Sequence, residues 1–212
     1  MSRTHFLRLL HWDRSLNPLP PTYLTAIGDL TARRLFIVHG WGGTPDENWL
    51  PWLRAMAGRR GFDAHAPAMP DASNPREARW VGELAAEVGE PDADSYFVGH
   101  SLGCMAILRY LEGLGEGEMV GGVVLVAGFS ESIGIPEIDD FFKRPVDWIM
   151  VNRHCSRFVA IASDDDPYVP LRQADMLEDG LRARKLVIPR MGHFNMIELH
   201  VALNELLKMT AR

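Results

Sequence analysis

Apolar and polar positions fall into a regular order of short blocks along this chain from Arg34 onward. RLFIVHG is a short apolar, β-branched run that ends at a glycine, and it predicts a buried strand. Asp46 to Arg60 predicts a helix with Asp46 as its cap and Trp49, Leu50, Leu53 and Met56 on one face. FDAHAPAMP predicts a second, shorter strand. Asn74-Pro75 opens a helix to about Val88, with proline at the first helical position and Trp80, Val81, Leu84 and Val88 turned inward. SYFVGH predicts a strand and Leu102 to Leu114 a helix. GGVVLVAG shows almost no alternation, so it predicts a strand buried on both faces. Phe129 to Arg153 reads as irregular, SRFVAIAS as a strand, Leu171 to Leu181 as a helix, KLVIPR as the last strand and Phe194 to Lys208 as the last helix.

Strands that alternate with helices imply an α/β fold, a mainly parallel sheet of about six strands with helices on both faces. Ligands in such sheets bind at the carboxyl ends of strands, so chemistry is expected just after each strand. Residues 1–33 break the pattern. They contain Pro18, Pro20 and Pro21 with weak periodicity, and read as an extension of open role, either a short helix (His5 to Trp12) with an extended tail or a segment the fold does not need. Residues 34–212 are then the α/β domain.

Composition narrows the class. Hydrophobic residues make up 47% and charged residues 24% of the 212 residues, which fits one soluble globular domain and excludes disordered and coiled-coil classes. A net charge of −6 argues against a nucleic-acid partner, which needs a clustered basic surface. The two cysteines, Cys104 and Cys155, form neither a disulfide framework nor a zinc motif, so a cytoplasmic setting is expected. No apolar run has the length of a membrane helix, and the N-terminus lacks the pattern of a signal peptide, so no membrane insertion is expected.

The chemistry concentrates at strand ends. Gly99-His100-Ser101-Leu102-Gly103 follows one strand and opens a helix, the G-x-S-x-G elbow in its strand–turn–helix context. The flanking glycines permit a sharp turn that raises the Ser101 hydroxyl above the sheet and aims the helix N-terminus at a developing oxyanion. A serine hydroxyl is a weak nucleophile and needs a base oriented by a third group. Of eight histidines, His193 in Met191-Gly192-His193-Phe194 follows the last strand and takes that role, whereas His39 and His100 sit inside turn motifs and suit supporting roles. The acid is expected between serine and histidine in chain order. Asp164-Asp165-Asp166-Pro167 follows strand SRFVAIA; Asp166 is favoured by the proline-fixed turn after it and Asp165 is second, with the remaining acids facing solvent or capping the helix. His39-Gly40-Trp41-Gly42-Gly43 follows the first strand and can supply the second oxyanion donor, the Trp41 N–H, beside that of Leu102. The glycine-rich turn lacks the lysine and spacing of a nucleotide loop.

With these residues in place, the chain resembles the small α/β-hydrolase serine hydrolases that include retinoblastoma-binding protein nine and its bacterial relatives. The resemblance spans about Leu35 to Leu207. It rests on the elbow, on Ala68-Met69-Pro70-Asp71, on Phe141 to Trp148 as an aromatic R-P-x-x-W element, on Ser163 to Pro170 and on Gly192-His193-Phe194. It implies a compact α/β-hydrolase without a large lid domain, and Ser101, Asp166 and His193 in catalytic roles. The first loop, H-G-W-G-G, is nearer to ordinary α/β-hydrolases than to the N-G-G-type loop of some members, and the family pattern does not include the extension before Arg34.

The expected reaction is hydrolysis of a small carboxylic ester or amide, with no metal and no organic cofactor. Phe141, Phe142 and Trp148, in an apolar segment with Ile133 and Ile135, are candidates to face the substrate or to pack over the sheet edge. The rival reading is a catalytically silent protein-interaction module on the same fold. The oligomeric state is not legible in the sequence.

Overall fold

The computed structural model describes residues 33–210. The extension of residues 1–33 and the helix read at His5 to Trp12 therefore lie, Arg33 apart, outside the described residues. Six strands, β1 (Arg33–Val38), β2 (Phe62–His65), β3 (Ser95–His100), β4 (Gly122–Val126), β5 (Phe158–Ser163) and β6 (Arg184–Ile188), form one sheet in the order β2-β1-β3-β4-β5-β6. Every neighbouring pair is parallel. The chain runs outward from β1 to β2, crosses back to β3 and continues to the other edge. The loops after β1 and β3 thus part at the switch point, where open parallel sheets form a crevice.

The central strands are buried on both faces, and their residues divide with a period of two. Phe36, Val38, Phe97, Val123 and Leu125 join one core with α2 (Glu77–Val88), α3 (Leu102–Glu112), α4 (Trp148–His154) and α5 (Arg172–Leu181). Leu35, Ile37, Tyr96, Val98, Val124 and Val126 join the other with α1 (Leu50–Gly58) and α6 (His200–Thr210). The helix faces read from the sequence pack as the 3.6-residue period requires: Trp49, Leu50 and Leu53 on one layer, Trp80, Leu84 and Val88 on the other. No described helix is long and apolar enough to cross a membrane.

Several boundaries differ from the sequence reading, among them the second strand, which ends at His65 rather than Pro70. The first helix starts at Leu50, beyond Asp46, with Pro51 in its first turn, where the missing N–H costs nothing. The second starts at Glu77, because its N–H is capped by Asp140, 63 residues away, at 2.8 Å. The last helix starts at His200 rather than Phe194. Phe194 is buried at φ 56°, in the left-handed region, and its N–H is held by the Met191 carbonyl. The segment read as irregular contains a 3-10 helix (Pro136–Phe142) and α4, whose cap is the Asp147 side chain accepting from the Met150 N–H at 3.0 Å.

Arg109 holds that segment down. Its side chain is fully buried in the largely apolar α3, paired with Glu112 of the same helix at 2.9 Å and with Glu77 at 3.2 Å. It also donates to the carbonyls of Phe141, Arg144 and Pro145. Removing one partner of such a network strands buried charge. Arg109→Ala should therefore lose about 3–5 kcal/mol of stability, read as a lower midpoint in urea unfolding followed by circular dichroism.

Candidate active site

The site is assembled from the carboxyl ends of β1, β3, β5 and β6. β3 delivers His100, and Ser101 then adopts φ 53° and ψ −121°, a conformation that L-residues avoid, before α3 begins at Leu102. The two elbow glycines are required by close approach. A Cβ on Gly103 would stand 2.3 Å from the Val38 carbonyl oxygen, and one on Gly99 would stand 2.7 Å from the Cys104 nitrogen. Neither neighbour can move away, because both are backbone. The turn therefore exists only with hydrogen at both positions, and it leaves the Ser101 hydroxyl pointing away from the sheet.

The His193 ring lies between the two side chains the sequence put forward. Its Nε2 is 3.0 Å from Ser101 Oγ and its Nδ1 is 2.8 Å from Asp166 Oδ2. A carboxylate only accepts, so Nδ1 carries the proton and Nε2 is free to accept the serine proton. The Asp166 side chain is only 2% exposed. Its other oxygen accepts the N–H groups of Tyr168 and Val169 at 2.9 and 3.0 Å. Burial works to raise the Asp166 carboxyl, but the His193 bond and the two N–H bonds outweigh it and hold the group below its ordinary range. Asp166 is thus ionised at neutral pH and fixed in direction.

Asp164 and Asp165 are exposed, as expected of the acids that do not meet His193, and neither caps a helix. They accept backbone N–H groups of Arg190 and Gly192 in the loop that carries His193.

The loop after β1 closes the other side. A Cβ on Gly40 would lie 3.0 Å from Ser101 Cβ, so the loop passes directly over the serine. The Gly42 N–H is taken by the Ala72 carbonyl and the Gly43 N–H by the Gly40 carbonyl. Trp41 is braced by its indole N–H on the Ser73 carbonyl at 3.0 Å. His39 ties this loop to the turn at Met69: its Nε2 accepts the Met69 N–H at 3.0 Å while Nδ1 donates to the Gly40 carbonyl at 2.8 Å. Burial, opposed by the Gly40 bond, lowers the His39 pKa and keeps the ring neutral. The sequence placed His39 in a supporting role without its partner; the M-P-D turn was the signal.

A cavity of about 470 Å³ opens over Ser101 and His193. Phe129, Ile133, Ile135 and Ile138 form an apolar wall, and Trp41 and Tyr168 also line it. The three aromatic residues expected to face the substrate lie elsewhere. Phe141 is fully buried, edge-on to Trp80 with ring centroids 5.6 Å apart. Phe142 stacks on Phe129 from behind the wall, at 5.4 Å. Trp148 packs on Gly180 and lines a separate groove between α4 and α5. Arg109 ties the carbonyls of Phe141 and Arg144 to α3, and in this stretch Phe141 is buried in the core while Ile133, Ile135 and Ile138 line the cavity. Cys104 and Cys155 are free and buried, and burial pushes the Cys155 thiol up to about 11 and the Cys104 thiol higher still. Neither is a nucleophile at neutral pH.

His100 is the second histidine of the site. Its Nε2–H donates to the His193 carbonyl at 2.9 Å, and the two rings lie 5.0 Å apart. Burial, with the nearby His193, pushes the His100 pKa down to about 4. The folded state then binds fewer protons than the unfolded chain between about pH 4 and 6.5, so this group's contribution is complete above that window and falls as pH drops through it. Stability should decline by on the order of 3 kcal/mol from this group across that window. His100→Gln, which keeps a donor and cannot charge, should flatten the decline in urea midpoints measured from pH 7 to pH 4.

Comparison with known proteins agrees with this architecture. The family model described as serine hydrolase matches residues 35–212. YdeN of Bacillus subtilis (strain 168) is 31% identical over 163 residues, 76% of this chain and 86% of YdeN. The serine hydrolase RBBP9 of Rattus norvegicus is 28% identical over 165 residues, again 76% of this chain and 86% of the relative. The crystal structure of the B. subtilis ydeN gene product superposes with a TM-score of 0.82 at 29% identity, covering 85% of this chain and all of that one (100%). Est1E of Butyrivibrio proteoclasticus, at 14% identity and a TM-score of 0.70 over 84% of this chain and 90% of its own, shares the fold. With its six-stranded parallel sheet and the family match over nearly the whole described chain, this protein belongs to the serine hydrolase family and is an enzyme of the α/β-hydrolase fold.

Proposed function

We propose that the enzyme cleaves a small carboxylic ester, or a small amide, by two-step acyl transfer through Ser101. The observation that carries this reading is the unbroken line from Ser101 Oγ through His193 to Asp166, with both hydrogen-bond distances at or below 3.0 Å. Ser101 Oγ attacks the carbonyl carbon, and His193 Nε2 takes its proton. Asp166 stabilises the imidazolium and keeps it in the right tautomer. The carbonyl oxygen becomes an oxyanion, which the backbone N–H groups of Trp41 and Leu102 hold. The Leu102 N–H is at the start of α3, where helix donors lack internal partners, and the neighbouring Gly42 and Gly43 donors are already engaged. The tetrahedral species collapses, His193 gives its proton to the leaving alcohol or amine, and a water activated by His193 then releases the acid.

The cavity supports the substrate class. An apolar wall of Phe129, Ile133, Ile135 and Ile138 beside the serine suits a short hydrocarbon group, and a cavity of about 470 Å³ suits a small ligand. Two free, buried cysteines fit the cytoplasm as the working compartment.

A panel of p-nitrophenyl esters and aminoacyl amides tests the reading, together with labelling by a fluorophosphonate. Wild type should turn over short esters and take up one label. Ser101→Ala should lose both, and residual turnover equal to wild type in that variant would sink the mechanism. Asp166→Asn, which removes the charge and upsets the tautomer, should cost about 10⁴-fold in kcat, with the fold intact by circular dichroism.

A further inference from the structure

The backbone of the loop that carries His193 is held one residue at a time. The ladder between β5 and β6 ends at Ser163 opposite Ile188. Beyond it, side chains from the end of β5 continue the pairing. Asp164 Oδ1 accepts the Arg190 N–H at 2.8 Å, Ser163 Oγ accepts the Met191 N–H at 2.9 Å, and Asp165 Oδ1 accepts the Gly192 N–H at 2.8 Å. Ser163 and Asp165 are also joined to each other, because the Ser163 hydroxyl donates to the same Asp165 oxygen at 2.7 Å. At the far end of the run, His100 holds the His193 carbonyl. Asp166, the next acid in the chain, takes the ring itself.

This stretch has reason to move if released. Arg190, Gly192 and Phe194 all have positive φ, at 57°, 52° and 56°, and two of the three carry a Cβ. Such backbone is sustained only where its surroundings over-determine it. Short side chains rich in acceptors are the chemical type that can do so, since the groups left without a ladder partner are N–H donors.

We propose that Ser163 and Asp165, flanked by Asp164 and His100, are positioning residues of the hydrolase. They set the backbone of residues 190–193 and thereby aim the His193 ring between Ser101 Oγ and Asp166. Ser163, Asp164 and Asp165 lie outside the lining of the cavity over Ser101. The proposal rests on the reading of His193 as the base. It also gives the three consecutive acids a division of labour, with two on the loop backbone and one on the ring.

The full-length protein tests it through Asp165→Ala, Asp165→Asn and Ser163→Ala. Each variant is measured by steady-state hydrolysis of p-nitrophenyl butyrate, by the rate of Ser101 labelling with a fluorophosphonate, and by the urea midpoint. Because a catalytic group displaced by about 1 Å costs on the order of 100-fold, Asp165→Ala should lower kcat by about 10–100-fold, leave KM within about threefold, and slow labelling in parallel. Asp165→Asn keeps an oxygen able to accept both bonds and should stay within about threefold of wild type in kcat. Ser163→Ala should fall between the two. Asp165 is exposed, so its variants should fold even if the loss of buried Ser163 does not allow it. A kcat for Asp165→Ala within twofold of wild type, or an Asp165→Asn as slow as Asp165→Ala, overturns the proposal. Wild type that neither turns over ester nor takes the label overturns the acyl-enzyme reading and this one with it. An active, labelled wild type with an unaffected Asp165→Ala overturns this one alone.

Discussion

The start of α3 passes so close to the end of β1 that no side chain fits between them. The hypothetical Cβ of Gly103 falls 2.3 Å from the Val38 carbonyl oxygen, and this contact governs what lies above it. With the helix pressed onto the sheet, the chain must reverse within a single residue, and Ser101 absorbs the turn at φ 53°. The strain is retained because β3 and α3 are buried on every side and the Ser101 N–H is tied to the Val126 carbonyl at 2.9 Å. A hydroxyl held this way has a fixed origin, against which His193 and the loop after β1 are placed.

Two braces set those positions, and both come from outside the local sequence. The loop after β1 is fastened to the turn at residues 69–73 through His39, Gly42 and the Trp41 indole. The loop after β6 is fastened to the end of β5 by Ser163, Asp164 and Asp165. In each case one strand-end segment carries the chemistry and its neighbour carries acceptors or donors for its backbone. A parallel sheet makes this arrangement natural, since all its strands end on the same side. The apolar cavity wall has its own anchor. The charged cluster of Arg109, Glu77 and Glu112 ties the end of the 3-10 helix to α3 through the Phe141 carbonyl.

The neutral state of the two supporting histidines follows from the same burial. His39 and His100 each give a proton to a backbone carbonyl and are too enclosed to take a second at physiological pH. They act as rigid, uncharged links. Two neutral rings therefore stand beside His193, and neither adds a positive charge to the site.

The strand and helix order was legible in the sequence because burial on both faces of a parallel sheet leaves unbroken apolar runs, and helices on those faces leave a 3.6-residue stripe. Ser101, Asp166 and His193 were legible because each follows such a run, and the elbow glycines are needed for a local turn. Helix starts at Glu77 and His200 were not, since Asp140 caps one from 63 residues away and a buried left-handed Phe194 delays the other. The apolar content of residues 130–150 could be read, but not its orientation. Periodicity is lost in a 3-10 turn, and the bond from buried Arg109 to the Phe141 carbonyl, which ties this backbone to α3 while Ile133 and Ile135 line the cavity, joins residues 32 apart. The acidic run announced a carboxylate for His193. Which oxygen meets which N–H was decided by the register of β5 against β6, a property of two strands brought together rather than of either one.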